Sequence, residues 1–196
     1  MPRSSQTTKA QILAAAKERF STLGYDGAST RDIADASGCA QSLLLYHFSS
    51  KELLWQAMMD DLFSKARSAV APHLVASTEP AMAQLMAGVR GFVAFCAADA
   101  DLHRLMVQEG RADTGRLKWL VETHLRATHD QITALIAQAQ ADGAARPGHP
   151  TLIYYAIISL AATIFSLSPE IDRLAPDMGL DRAAEVVAMI ENFLAD

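Results

Sequence analysis

Apolar residues recur three and four positions apart along almost the whole chain, and that spacing is the signature of helices with one buried face. Ile12, Leu13, Ala16, Phe20 and Leu23 form one such stripe, and Leu54, Met58, Leu62 and Ala66 form another. Leu117, Val121, Leu125, Ile132 and Ile136 continue the pattern, followed by Ala183, Val187, Ile190 and Leu194. Strand signals are almost absent: β-branched residues rarely alternate with polar ones, and no Asn-Gly or Asp-Gly hairpin is visible. The expectation is an all-α protein. With 196 residues, 51% of them hydrophobic, the chain makes one domain or two small ones and buries a substantial core.

Helix boundaries follow from caps and breakers. Thr8 to Gln11 has capping-box spacing and opens a helix that Gly24 offers to stop. Ser29 to Asp32 is a second capping box, opening a short helix through Ile33 and Ala34 that ends at Gly38. After the turn Gly38-Cys39-Ala40, a third short helix covers about 41 to 48, giving a helix-turn-helix pattern. Ser49 or Ser50 caps a fourth helix that ends before Pro72. Further helices are expected near 80–98, 101–110, 116–141, 151–167 and 181–195, with Gly143 ending the long one and a connection over 169–180 holding two prolines and a glycine.

Several classes of function lose support. Cys39 and Cys96 lie far apart with no CxxC pair, so neither a disulfide framework nor a zinc site is indicated. The polar start MPRSSQTTKAQ lacks the apolar run of a secretory signal, which fits a reducing cytoplasm. Residues 151 to 168 carry no charge, but Ser159, Thr163, Ser166 and Ser168 are spread along them and Pro150 and Pro169 bracket them, so a helix buried in protein is expected and not a membrane span. No GxSxG, HExxH or P-loop motif appears; the expectation is a protein that is not an enzyme and needs no cofactor. His124 and His129 stand five apart, a spacing that turns them away from one another on an α-helix and makes no two-ligand metal face. The net charge of -5 is uneven: residues 1–51 hold six Lys/Arg against four Asp/Glu (+2), and the rest hold eleven against eighteen (-7).

Ile12 to Gly24 with Tyr25, then Ile33-Ala34, Gly38, Tyr46-His47-Phe48 and Ser50-Lys51-Glu52-Leu53, closely resemble the N-terminal domain of TetR-family transcriptional regulators. The resemblance covers roughly residues 8 to 55. It implies a helix-turn-helix DNA-binding domain over 1–52 and a helical ligand-binding and dimerisation domain over 53–196. It also implies a homodimer that binds double-stranded DNA at a palindromic operator, mostly as a repressor released by a small-molecule effector. The alternative is a helical ligand-binding or protein-interaction module with little DNA affinity. Three positions depart from the family pattern: Leu45 stands two before His47 where a Tyr is usual, Ala28 replaces a Ser or Thr, and Leu43 is bulkier than the usual small residue.

A recognition helix buries one stripe and offers the other to the major groove. Leu44 and Phe48 are expected inward with Ile33 and Phe20, and Gln41, Ser42 and Tyr46 outward. Gln41 suits an adenine edge, and Leu43 suits a thymine methyl. Helix starts attract phosphates, which places Ser29, Thr30, Arg31 and Lys51 among the candidates, with Tyr46 and His47 as further donors. Ser29 and Ser50 fit equally as plain caps, Lys51 as a solvated charge, and His47 as a core histidine. In the body, Phe92, Phe95, Cys96, Met106, Trp119, His124 and Tyr155 are candidates to line an apolar effector pocket, with ordinary core packing as the competing reading of each. The two apolar helices near 151–168 and 183–194 are expected to pair with their copies in a second chain.

Overall fold

The computed structural model describes residues 2–73, 78–176 and 178–195, with side chains from residue 8 onward. Among the described residues every regular element is helical. The head consists of α1 (Pro2–Gly27), α2 (Thr30–Ser37), α3 (Gln41–Phe48) and the first turns of α4 (Lys51–Val70). The body follows: a 3₁₀ turn (Ala71–His73), then α5 (Ala81–Ala98), α6 (Asp101–Glu109), α7 (Gly115–Leu120), a π-turn (Val121–Leu125), α8 (Arg126–Ala141), α9 (Pro150–Ser166), α10 (Ser168–Leu174) and α11 (Arg182–Ala195).

The head obeys its local signals. Ser29, in extended conformation, accepts from the Asp32 amide at 3.1 Å and caps α2. Gly38, at φ 70°, ends that helix with the paired bonds of a Schellman motif, the Cys39 amide returning to the Ala34 carbonyl. Ser50 caps α4 through the Leu53 amide, also at 3.1 Å. Ile12, Ala16, Phe20, Ile33, Leu44, Leu54 and Trp55 are wholly buried together, which closes the three-helix unit around one apolar centre.

Four expectations need correction. The first helix starts at Pro2, so Thr8 lies inside it and does not mark its start. Gly24 breaks the helical geometry at φ 74°, ψ 173°, but the chain resumes helical turns to Gly27. The rod expected over 116–141 is divided by the π-turn, in which the Arg126 amide reaches back five residues to the Val121 carbonyl. The connection expected over 169–180 instead begins as α10, because Pro169 stands in the first turn of a helix, where its missing amide costs nothing.

One buried cluster runs without a break from Ile12 to Leu194, and α4 carries it from head to body through Leu54, Trp55, Met58, Met59, Leu62, Phe63 and Ala66. Helix α5 occupies the centre of the body, packed on α4, α8, α9 and α11. Among the described residues it is the one unbroken helix with the length and mean hydropathy, 1.5, of a membrane span. The uncharged segment at α9 does not continue straight; α10 leaves it at 68°. Where α5 crosses the end of α4 the backbones nearly touch: a Cβ on Gly91 would stand 2.2 Å from the Ala69 carbonyl oxygen.

Short α6 is the polar crossbar. Toward the head, Asp99 and Asp101 at its start hold Lys17 of α1 at 2.6 and 3.3 Å, and Gln108 donates to the Ser21 carbonyl at 3.0 Å. Toward the body, Arg104 donates to the Ser166 carbonyl at the end of α9 at 2.9 Å, and His103 meets the Ser166 hydroxyl at 3.1 Å.

Gly91→Ala is expected to lower stability by about 1–3 kcal/mol, the usual range for overpacking, because a backbone oxygen cannot step aside. Gly115→Ala, which points into open space at the start of α7, should leave the thermal midpoint unchanged or slightly raised. Thermal unfolding of the two variants checks both.

Candidate nucleic-acid interface

Helix α3 presents two faces of opposite character. Leu44 and Phe48 are buried, while Gln41, Ser42, Leu43, Leu45 and Tyr46 are exposed, Tyr46 to 81%. This is the division expected of a helix that packs with one stripe and displays the other. Gln41 donates from Nε2 to Thr30 Oγ1 at 3.0 Å and so ties the start of α3 to the start of α2. Its second N–H and its carbonyl oxygen remain for a base edge. Ala40, the residue before α3, has no side chain to cap it.

The candidate phosphate contacts surround that face. Ser29 is exposed and spends its hydroxyl on Asp32, donating to Oδ2 at 2.6 Å, so its role as a cap is directly visible. Thr30 is half-buried and Arg31 exposed on the first turn of α2. His47 is half-buried between Tyr46 and Phe48, its ring 5.5 and 6.3 Å from theirs. Lys51 opens α4 but does not stand apart: its ammonium lies 4.5 Å from the centroid of the Tyr25 ring.

Helices α3 and α4 are joined by a tight turn at Ser49, the one non-glycine with positive φ among the described residues (φ 59°, ψ -35°). The Ser50 amide bonds the Phe48 carbonyl at 2.6 Å, which makes a γ-turn of the strained, positive-φ type. The turn leads directly from the end of α3 into α4, which opens at Lys51.

Two cations missed by sequence reasoning adjoin this surface. Lys9 of α1 lies 5.6 Å from the Phe48 ring centroid. Arg116 of α7, a body residue, lies 3.9 Å from the Tyr25 centroid while its Nε pairs with Glu109 at 3.0 Å. Nothing in sequence set Lys9 apart from the other cations of α1, and Arg116 carried no signal because the Tyr25 ring it meets is remote in sequence. Burial pushes the Tyr25 phenol above its ordinary value, with Arg116 opposing the shift.

The body candidates separate into groups. Trp119 and His124 meet edge to face at 5.0 Å, and the His124 ring stacks on Phe63 at 4.4 Å. Arg67 can only donate, so its contact with His124 Nδ1 at 3.1 Å puts the imidazole proton on Nε2, 3.0 Å from Asp60 but poorly aligned with it. Phe92 and Phe95 pack on each other, and Cys96 is buried with its thiol pushed up to about 12 by desolvation, an inert core group. Met106 is half-buried against the core; Tyr155 is 56% exposed on the outside of α9 and lines no interior space. An open cleft of about 450 Å³ between α5 and α11 is lined by Arg90, Val93, Asp181, Val187, Glu191 and neighbouring alanines, and none of the candidates lines it. His129 turns away from His124 to meet Tyr154 and Thr151, and among the described residues no cluster of metal-ligating side chains forms.

With this geometry in view, comparison with known proteins is direct. Residues 12–58 match the model of "Bacterial regulatory proteins, tetR family". The transcriptional activator FasR of Mycolicibacterium smegmatis is 30% identical over 134 residues, 66% of this chain and 59% of its own. The head of this chain is that of the TetR family. The transcriptional repressor KstR2 of Rhodococcus jostii is 37% identical over 70 residues, 34% of each chain. The chain thus spans about three fifths and one third of these curated relatives. Over nearly full length the fold is that of AibR, crystallised with isovaleryl coenzyme A and operator DNA (TM-score 0.78, 20% identity, 96% of this chain and 98% of that one). SCO4942 from Streptomyces coelicolor is similar at 26% identity and a TM-score of 0.69, covering 95% and 98%. The TetR-type head therefore sits on a body of the same architecture.

Replacing either cap, Ser29→Ala or Ser50→Ala, is expected to cost about 1 kcal/mol. Ser49→Gly should be neutral or stabilising by about 1 kcal/mol, since relief of the backbone strain exceeds the added chain entropy; denaturant unfolding checks all three. Burial, first, and Arg67 hold the His124 imidazole below its ordinary value of 6.5, with Asp60 opposing. Its contribution to stability is present above pH 6.5 and lost as pH falls through it, because only the unfolded chain then takes up the proton readily. The wild type should lose more stability than His124→Gln between pH 7 and pH 5.5, measured as thermal midpoints across that window.

Proposed function

We propose that this protein is a dimeric DNA-binding transcriptional regulator, a repressor released from a palindromic operator by a small-molecule effector. The observation that carries the reading is the two-faced α3, braced by two capped helix starts. Residues 1–52 act as the DNA-binding head and 53–196 as the effector and dimer body. Gln41, Ser42 and Leu43 read base edges, and Ser29, Thr30, Arg31, Tyr46, His47 and Lys51 fix register on phosphates. Leu45, exposed where the family pattern has a phosphate-binding Tyr, weakens one contact and is the feature that favours the DNA-silent alternative.

Dimerisation is supported by apolar side chains left in water by the lone chain: Leu152 (69% exposed) and Tyr155 on α9, and Met189 on α11. Matched with their symmetry mates they bury one another in a four-helix interface. The effector enters the body near Trp119, His124, Met106 and the Phe92–Phe95 pair, where apolar rings and few polar groups suit an apolar or aromatic molecule. AibR's bound isovaleryl coenzyme A and operator DNA support a regulator responding to a small molecule. The names of the relatives include both an activator and a repressor. Function in the cytoplasm, without catalysis, follows from this reading.

The full-length protein should bind a labelled duplex carrying the sequence upstream of its own gene, with affinity that falls steeply as salt rises, since each neutralised phosphate releases counterions. Changing Tyr46 and Lys51 together to Ala should weaken binding about tenfold or more and flatten the salt dependence. Binding to no duplex even at low salt would overturn the reading.

A further inference from the structure

We infer that Arg116 is a positioning residue for DNA binding, acting through Tyr25 on Lys51. The inference rests on the DNA-binding reading above. Two cations from opposite parts of the molecule converge on one ring: Lys51 of the head, 4.5 Å from the Tyr25 centroid, and Arg116 of the body, at 3.9 Å. The ring is further fixed by Phe20, nearly parallel at 5.9 Å, and by the edge of Trp55 at 6.1 Å. A cation over a π-face is held by charge and quadrupole, so the Lys51 N–H groups stay available to a phosphate while the ammonium is kept in place.

Arg116 is itself pinned. Its Nε pairs at 3.0 Å with Glu109, whose side chain is only 7% exposed at the end of α6. The pair thereby closes the loop between α6 and α7 and fixes the guanidinium over the ring. Neither Glu109 nor Arg116 lines the cleft between α5 and α11. A buried carboxylate would otherwise be an expensive residue to keep. Any displacement of α6 against α7 shifts Arg116 and with it the ring on which Lys51 rests, a route to the phosphate contact additional to the path along α4.

The test is a double-mutant cycle on the full-length protein, with a labelled mixed-sequence duplex at low salt as probe. Glu109→Gln with Arg116→Gln removes the body cation without stranding a buried charge. It should weaken binding by about three- to tenfold, the scale of one lost cation–π contact. In a Lys51→Ala background the same pair of changes should cost nothing further, whereas a merely structural role would give equal losses with and without Lys51. Arg116→Lys should restore most of the affinity. Should the paired replacement fail to fold, Tyr25→Leu, which leaves the ion pair intact, carries the test with the same Lys51-dependent loss. Equal losses in both backgrounds, or none in either, overturn the inference while leaving the DNA-binding reading in place; absence of duplex binding by the wild type overturns both.

Discussion

The unbroken apolar flank of α4 is the constraint on which the rest of the molecule depends. Its first turns complete the head core with Leu54 and Trp55, and its later turns enter the body with Met58, Met59, Leu62, Phe63 and Ala66. Head and body therefore share one continuous apolar core. Close-packed interiors respond to displacement as stiff units, so a shift of the body end of α4 is felt by α3. At its far end the helix lies directly against the α5 backbone at Gly91.

Polar contacts supply what the apolar core cannot, which is orientation. Hydrophobic packing is non-directional, whereas the bonds of α6 specify where α1 and α9 lie relative to each other. Lys17 and Ser21, one turn apart on α1, are held by the two ends of α6, and the middle of α6 seals the last carbonyl of α9. The helix closest to the proposed dimer face is thus joined, through the nine residues of α6, to the first helix of the head.

Much of the head was legible from sequence because its signals are local. Ser29, Gly38 and Ser50 act through residues no more than five positions away, and the buried and exposed stripes of α3 follow directly from a 3.6-residue repeat. The family of the head was likewise carried by short motifs. The start of α1 was misplaced because a cap motif inside a longer helix looks like one at its end. Helix α10 was missed because two prolines suggest a loop unless the first is recognised as a helix-opening residue. The Glu109–Arg116–Tyr25–Lys51 contacts join elements far apart in the chain, and no periodicity records them. The pocket candidates shared this difficulty: residue type alone did not separate inert Cys96 or outward Tyr155 from rings that face one another.

The π-turn at 121–125 alters the phase of the helical rod. On an ideal α-helix, residues five apart diverge by roughly 140°, and Trp119 and His124 would point to different neighbours. Bonding at i→i+5 across the π-turn brings them to one side instead, where their rings meet edge to face. The extra residue behaves like an inserted washer: upstream of it the rod is keyed to α4, and downstream it is keyed to α5 and α9. A single-residue deletion there would return the rod to simple helical pitch and leave one of those two mating surfaces out of register by about a quarter turn.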